Sequence, residues 1–154
     1  MKKRELYTSL EALDSVKELK GIKFAYVALK NKKKIEEEIK LFEEIIKPNP
    51  KFEEYEQKRI QLCVVHSDKN ENGEPVILND KYKIIDENKF NTELDGLKKG
   101  YNDVIEERIK QINDYNLMLE EEVNIEFEKI NFDNIPENIS AKELEAIDFM
   151  INFD

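Results

Sequence analysis

Histidine and cysteine each occur once in this chain, at His66 and Cys63, and tryptophan does not occur at all. One thiol excludes an intramolecular disulfide and fits a reducing compartment. One histidine and one cysteine fall short of the four ligands of a structural zinc site. The same scarcity leaves no nucleophile, base and orienting group to assemble, so the chain does not read as an enzyme. With four glycines and four prolines there are few sharp turns and no glycine-rich phosphate loop. No stretch of about 18 apolar residues could span a membrane. Glu5, Glu11 and Asp14 interrupt the opening segment, which therefore does not read as a signal peptide.

What the chain has is charge. Charged residues make up 39% and apolar residues 40% of it, against about 25% and 45–50% in ordinary globular domains. Fourteen aromatic side chains, eight Phe and six Tyr, supply the core mass that a disordered tail lacks. The net charge of −10 is divided unevenly, with ten basic and four acidic residues in 1–34 and a balance of −16 over 35–154. A body that acidic repels DNA, which disfavours general nucleic-acid binding.

The strongest pattern is an apolar stripe through Phe90, Leu94, Leu97, Tyr101, Val104/Ile105, Ile109, Ile112, Tyr115 and Leu119. Its three- and four-residue steps predict one long amphipathic helix over 87–120. The outgoing partner is a helix from Ile22 to Lys47, broken at Pro48-Asn49-Pro50 and resumed from Phe52 to His66. Its buried line reads Ile22, Ala25/Tyr26, Leu29, Ile35, Ile39, Phe42 and Ile46. Gly96 and Gly100 soften the returning helix opposite the proline break. A short first helix is expected with a Thr8–Glu11 capping box, ending at Gly21. Val76–Leu78 and Tyr82–Ile85 read as a β-hairpin turning at Asn79-Asp80. Val123, Ile125, Phe127 and Ile130 alternate as a half-buried strand. Ser140 and Glu143 form a capping box for a last helix, Leu144 to Ile151.

The expected fold is α+β, mostly α: a long antiparallel helical hairpin, akin to a coiled coil, as a stalk, with the β-hairpin at its tip. A small mixed head would contain the C-terminal strand and helix. The whole reads as a single elongated domain, with residues 1–34 and 121–154 as head and 35–120 as stalk. So much exposed helical surface predicts a homo-oligomer, a dimer or higher.

The layout resembles a group of small proteins encoded by tailed bacteriophages. The residues that carry the likeness are FAYVALKNKKKIEEEIK (24–40), the Glu71-Asn72-Gly73 turn, FNTEL (90–94), EEVNIEF (121–127) and the closing short helix. The resemblance implies a phage origin and a place in the cytoplasm of a host bacterial cell. It brings no activity, cofactor or catalytic residue.

Three constellations invite a functional reading. Asp68-x-Asn70-x-Asn72-Gly73 opens like a calcium loop, but Pro75 and Asn79 stand where a strand residue and a bidentate carboxylate belong, so a polar turn is expected. Cys63 and His66 share a helix face without further ligands, and the histidine is expected half-exposed. The third is a strip of Lys20, Lys23, Tyr26, Lys30, Asn31 and Lys34, with Lys33 beside it. Spacings of three and four place Lys23, Tyr26, Lys30 and Lys34 on one helix face. Ammonium groups attract phosphate, a carboxamide can read a base edge, and a phenol ring offers a stacking surface. The competing reading is a solvated lysine face with a core tyrosine. The strip could also dock the acidic body of a second copy. Together these features predict a non-catalytic binding protein that counters a host process, of the anti-defence type. It would do so by sequestration of an anionic nucleotide-like signal or of a host protein. The alternative is a chaperone or connector in virion assembly.

Overall fold

The computed structural model describes residues 1–153 and divides into two compact units. One comprises Met1–Ile46 and the segment from Asp114 onward; the other is Lys47–Asn113. In chain order the elements are α1 (Glu5–Ser15), α2 (Ile22–Ile46), α3 (Pro50–His66), β1 (Ile77–Leu78), β2 (Lys81–Tyr82), α4 (Glu87–Lys99), α5 (Asn102–Leu119), β3 (Ile130–Asn131), α6 (Ala141–Ala146) and β4 (Ile151–Asn152). The fold is α+β and mostly helical, as expected. No helix among the described residues is long and apolar enough to cross a membrane.

In the first unit, Leu6, Leu13 and Val16 meet Phe24, Ile35, Ile39 and Phe42 of α2. Ile130, Ile147, Met150 and Ile151 complete this core. Each such side chain contributes about 1.5–3 kcal/mol when fully buried. The stripe of α2 that faces inward runs Phe24, Ala28, Asn31, Ile35, Ile39 and Phe42. It departs from the expected line only in the first turns, where Ile22, Tyr26 and Leu29 are exposed; Ile35, Ile39 and Phe42 are buried as expected. A polar residue, Asn31, occupies the position where the core stripe passes.

Several boundaries differ from expectation. Helix α1 starts at Glu5 without a side-chain cap, so Thr8 lies inside it. The start is fixed instead by backbone bonds from Lys3 and Arg4 to the carbonyls of Glu121 and Leu119, at 2.9 and 3.1 Å. Gly21, at φ +142°, belongs to the entry of α2 rather than to the end of α1, since its carbonyl accepts from Ala25. The segment 123–129 alternates in burial as far as Phe127 but joins no ladder, and only Ile130–Asn131 is strand, paired in parallel with Ile151–Asn152. That pairing claims the backbone of Ile151, which is why the last helix stops at Ala146, although its Ser140–Glu143 capping box is present.

In the second unit the antiparallel helical pairing holds. Contacts advance along α3 as they retreat along the returning arm: Gln111 Nε2 donates to the Lys47 carbonyl at 3.0 Å, Lys58 bonds the Tyr101 hydroxyl at 2.7 Å, and His66 bonds Glu93 at 3.0 Å. Asn49 caps α3 through a bond from the Lys51 amide, with Pro50 at the first helical position. The returning arm is two helices rather than one. Gly100 ends α4, with its amide bonded to Leu97, and Tyr101 is held outside by Glu54 and Lys58, each 2.7 Å from its hydroxyl. Glycine is a poor helix residue, and a ready hydrogen-bonded alternative settles the break there. Pro48 and Asn49 share a hollow with Val104, Glu107 and Gln111, beyond the glycines rather than opposite them.

Asn79 and Asp80 form the two-residue loop between β1 and β2, both with positive φ (+50° and +60°). That is the primed turn that suits strand twist, and glycine is favoured at its second position. Asp80→Gly is therefore expected to stabilise the chain by up to about 1 kcal/mol, measured as a rise in the urea unfolding midpoint.

Candidate ligand-binding face

The strip on α2 is built around the extended segment that crosses it. Asn31 is fully buried, and its carboxamide clasps the backbone of Glu128, donating from Nδ2 to the carbonyl at 2.9 Å and accepting the amide at 2.8 Å. The carboxamide thus takes the place of a neighbouring strand. Lys34 Nζ adds a bond to the Glu126 carbonyl at 2.6 Å. The Asn31 amide is therefore spent on the fold and does not face a ligand.

Two lysines of the strip are also engaged. Lys30 and Lys34 place Nζ 3.1 and 3.3 Å from the Glu128 carboxylate. These bonds hold the Glu128 carboxyl below the usual carboxylate range, Lys30 contributing most, and the Lys30 ammonium is raised in turn. Lys30 also lies 5.3 Å over the Tyr26 ring, a cation–π contact. The remaining members differ. Lys20 and Lys23 are exposed and make no ion pair among the described residues. Tyr26 is 60% exposed, a surface ring rather than a core one.

Lys23, Tyr26 and Val27 of α2 line an open hollow of about 260 Å³ together with Lys129, Ile130, Asn131 and Asn134. Lys129 donates to the Phe149 carbonyl at 2.7 Å, which fixes its ammonium at the rim. Lys129, Asn131 and Asn134 were not legible as site residues. They lie about a hundred positions from Lys23, and only the pairing of β3 with β4 and the Asn31 clasp bring them across α2. The arrangement offers two ammonium groups, one aromatic face and two carboxamides. Those are the contacts an anionic aromatic ligand uses.

The other sequence candidates resolve into structure. Asp68 accepts from the Lys69 amide and pairs with Lys83 at 2.7 Å, and Asn70 Oδ1 accepts the amides of Asn72 and Glu74 at 2.9 Å each. Those oxygens shape a turn. His66 is buried rather than half-exposed, edge-on to Phe90 at 5.8 Å, with Nε2 bonded to Glu93. No protein-family model, curated protein or solved structure matches this chain.

Replacing Asn31 by Ala strands the Glu128 amide and carbonyl against a helix. The expected cost is about 2–4 kcal/mol, read as a fall in Tm of roughly 5–10 °C and lost hydrogen-exchange protection at the Glu128 amide. The pH dependence follows from the lowered carboxyls. Glu128, Asp14 beside Lys32, and Glu120 beside Lys2 and Arg4 all titrate below their usual range. Their stabilisation is full above the unfolded value, about pH 4, and is lost as pH falls through the lower folded values. Thermal melts should be flat from about pH 6 to 8 and drop below about pH 4. Glu128→Gln should flatten part of that drop.

Proposed function

We propose that this chain is a phage-encoded, non-catalytic binding protein that counters a host process from the host cytoplasm. It works as an oligomer and sequesters an anionic nucleotide-like ligand in the hollow beside Tyr26. One observation carries the reading: an exposed Tyr26 ring and a Lys23 ammonium without an ion partner among the described residues border the same hollow as Lys129, Asn131 and Asn134. Phosphate would meet Lys23 and Lys129, the base would stack on Tyr26, and the two carboxamides would meet its polar edge. Acid–base chemistry finds no support nearby, since the single histidine is bound to Glu93 and Cys63 is buried in the other unit.

A second reading, capture of a host protein or a connector role in virion assembly, draws on the apolar residues that α2 presents outward, Ile22 and Leu29. Native mass spectrometry of protein purified gently from bacterial lysate separates the two. An adduct of nucleotide mass, with calorimetric binding of the identified nucleotide, is expected for the first. Tyr26→Ala and Lys23→Glu should each weaken that binding roughly tenfold or more, with melting curves unchanged. A bare protein that gives no heat with mono-, di- or cyclic nucleotides sinks the nucleotide reading.

A further inference from the structure

The face that carries the hollow already holds one anion, and it is the chain's own. Lys30 and Lys34 both aim Nζ at a single carboxylate oxygen of Glu128, at 3.1 and 3.3 Å. One oxygen shared by two ammonium groups is the arrangement a phosphate oxygen takes between lysines. The carboxylate stays charged across the neutral range, because Lys30 and then Lys34 hold it below the usual value. Little ties it there. Asn31 holds Glu128 by its backbone, the side chain is 40% exposed, and exposed ion pairs contribute little to stability.

Lys23 and Lys30 lie two turns apart on one side of α2, about 10 Å along its axis, with Tyr26 between them. Lys23 lines the hollow with Lys129, whereas Lys30 stands outside that lining and over the Tyr26 ring at 5.3 Å. Two cationic positions, each made of two lysines, thus flank one aromatic ring. Glu36, Glu37 and Glu38 come next after Ile35. The basic run ends there, and a longer polyanion would meet carboxylates.

We propose that the Glu128 carboxylate stands in for a second phosphate, so that this face takes a free nucleotide phosphorylated on both sides of its ribose, of the 3′,5′-bisphosphate type. The inference rests on the nucleotide reading above and specifies its ligand. One phosphate meets Lys23 and Lys129 while the base stacks on Tyr26. The other displaces the Glu128 carboxylate, which turns to solvent, and bonds Lys30 and Lys34. An ammonium has three donors, so Lys34 keeps its bond to the Glu126 carbonyl.

Calorimetry on the full chain, with the four ribonucleoside 5′-monophosphates and their 3′,5′-bisphosphates, tests it. The bisphosphate of the preferred base is expected to bind about tenfold or more tightly than its monophosphate. Glu128→Gln keeps the backbone clasp and frees both ammonium groups. It should tighten the bisphosphate by about three- to fivefold more and leave the monophosphate unchanged. Lys30→Gln should abolish the preference. Lys40→Gln, the same loss of charge at an exposed position ten residues along α2, should keep it. A wild-type chain that binds neither kind of nucleotide overturns the functional reading and this inference with it. Equal affinity for the two kinds overturns the inference alone. So does a Glu128→Gln chain that melts like wild type and binds the bisphosphate no more tightly. A single-stranded RNA hexanucleotide that binds more tightly than any bisphosphate overturns the free ligand in favour of a strand.

Discussion

The clasp between Asn31 and the backbone of Glu128 sets the register on which the first unit depends. An extended segment laid against a helix meets no free backbone groups, because those of the helix are bonded along its own axis. Its amides and carbonyls must find side chains or remain unpaired at a cost of about 1–3 kcal/mol each. Asn31 answers one amide and one carbonyl at a single residue, and Lys34 answers the carbonyl two residues earlier. Phe127 and Ile130, three residues apart on either side of Glu128, both pack on the core. Phe127 packs edge-on against Phe149 at 4.9 Å, and Ile130 enters the core in register with Ile151. A slip of one residue would bury Lys129 and expose Ile130.

The second unit relies on a different economy. Few of its residues are buried: Tyr55, Cys63, His66, Ser67 and Val104 among those described. Its hairpin end is organised by a closed ring of backbone bonds: the Asp68 amide to the Lys83 carbonyl, Lys83 to Val76, and Val76 to Asp68, all between 2.7 and 2.9 Å. The Lys83–Asp68 ion pair spans the same ring. His66 then joins three elements, since its ring bonds Glu93 on α4 and its carbonyl accepts the Ile85 amide. Directional bonds, rather than buried area, hold the hairpin against α3 and α4. A short two-stranded ribbon needs such support.

Local chemistry was the legible part of the sequence. The proline break, the turn at Asn79-Asp80 and the Ser140–Glu143 box are decided by neighbouring residues, and each is found in place. Patterns that depend on distant partners were misread in proportion to that dependence. The α2 stripe was placed through Ile22, Tyr26 and Leu29 because Asn31 breaks the true stripe with a polar side chain. That carboxamide belongs inside only because Glu128, 97 positions away, supplies backbone groups for it. The 123–130 alternation was genuine, but alternation reports a half-buried face and not a ladder partner. Helix continuity through Gly100 failed for a similar reason, since the hydroxyl of Tyr101 is claimed by Glu54 and Lys58 on another helix. At the ligand face, Lys23 and Tyr26 were visible because they share one helix, while Lys129, Asn131 and Asn134 come together with them only after folding.

Helix α2 departs from the ordinary amphipathic pattern. An ordinary amphipathic helix puts isoleucine inside and asparagine outside. Helix α2 inverts this at two places, burying Asn31 completely while leaving Ile22 almost wholly exposed. The buried amide is explained by the clasp. Scattered apolar residues on a surface need no explanation, but Ile22 and Leu29 stand seven positions apart on one side of the helix. On a helix Ile22 and Leu29 lie nearly opposite Asn31, so turning the carboxamide inward to Glu128 turns both of them to solvent.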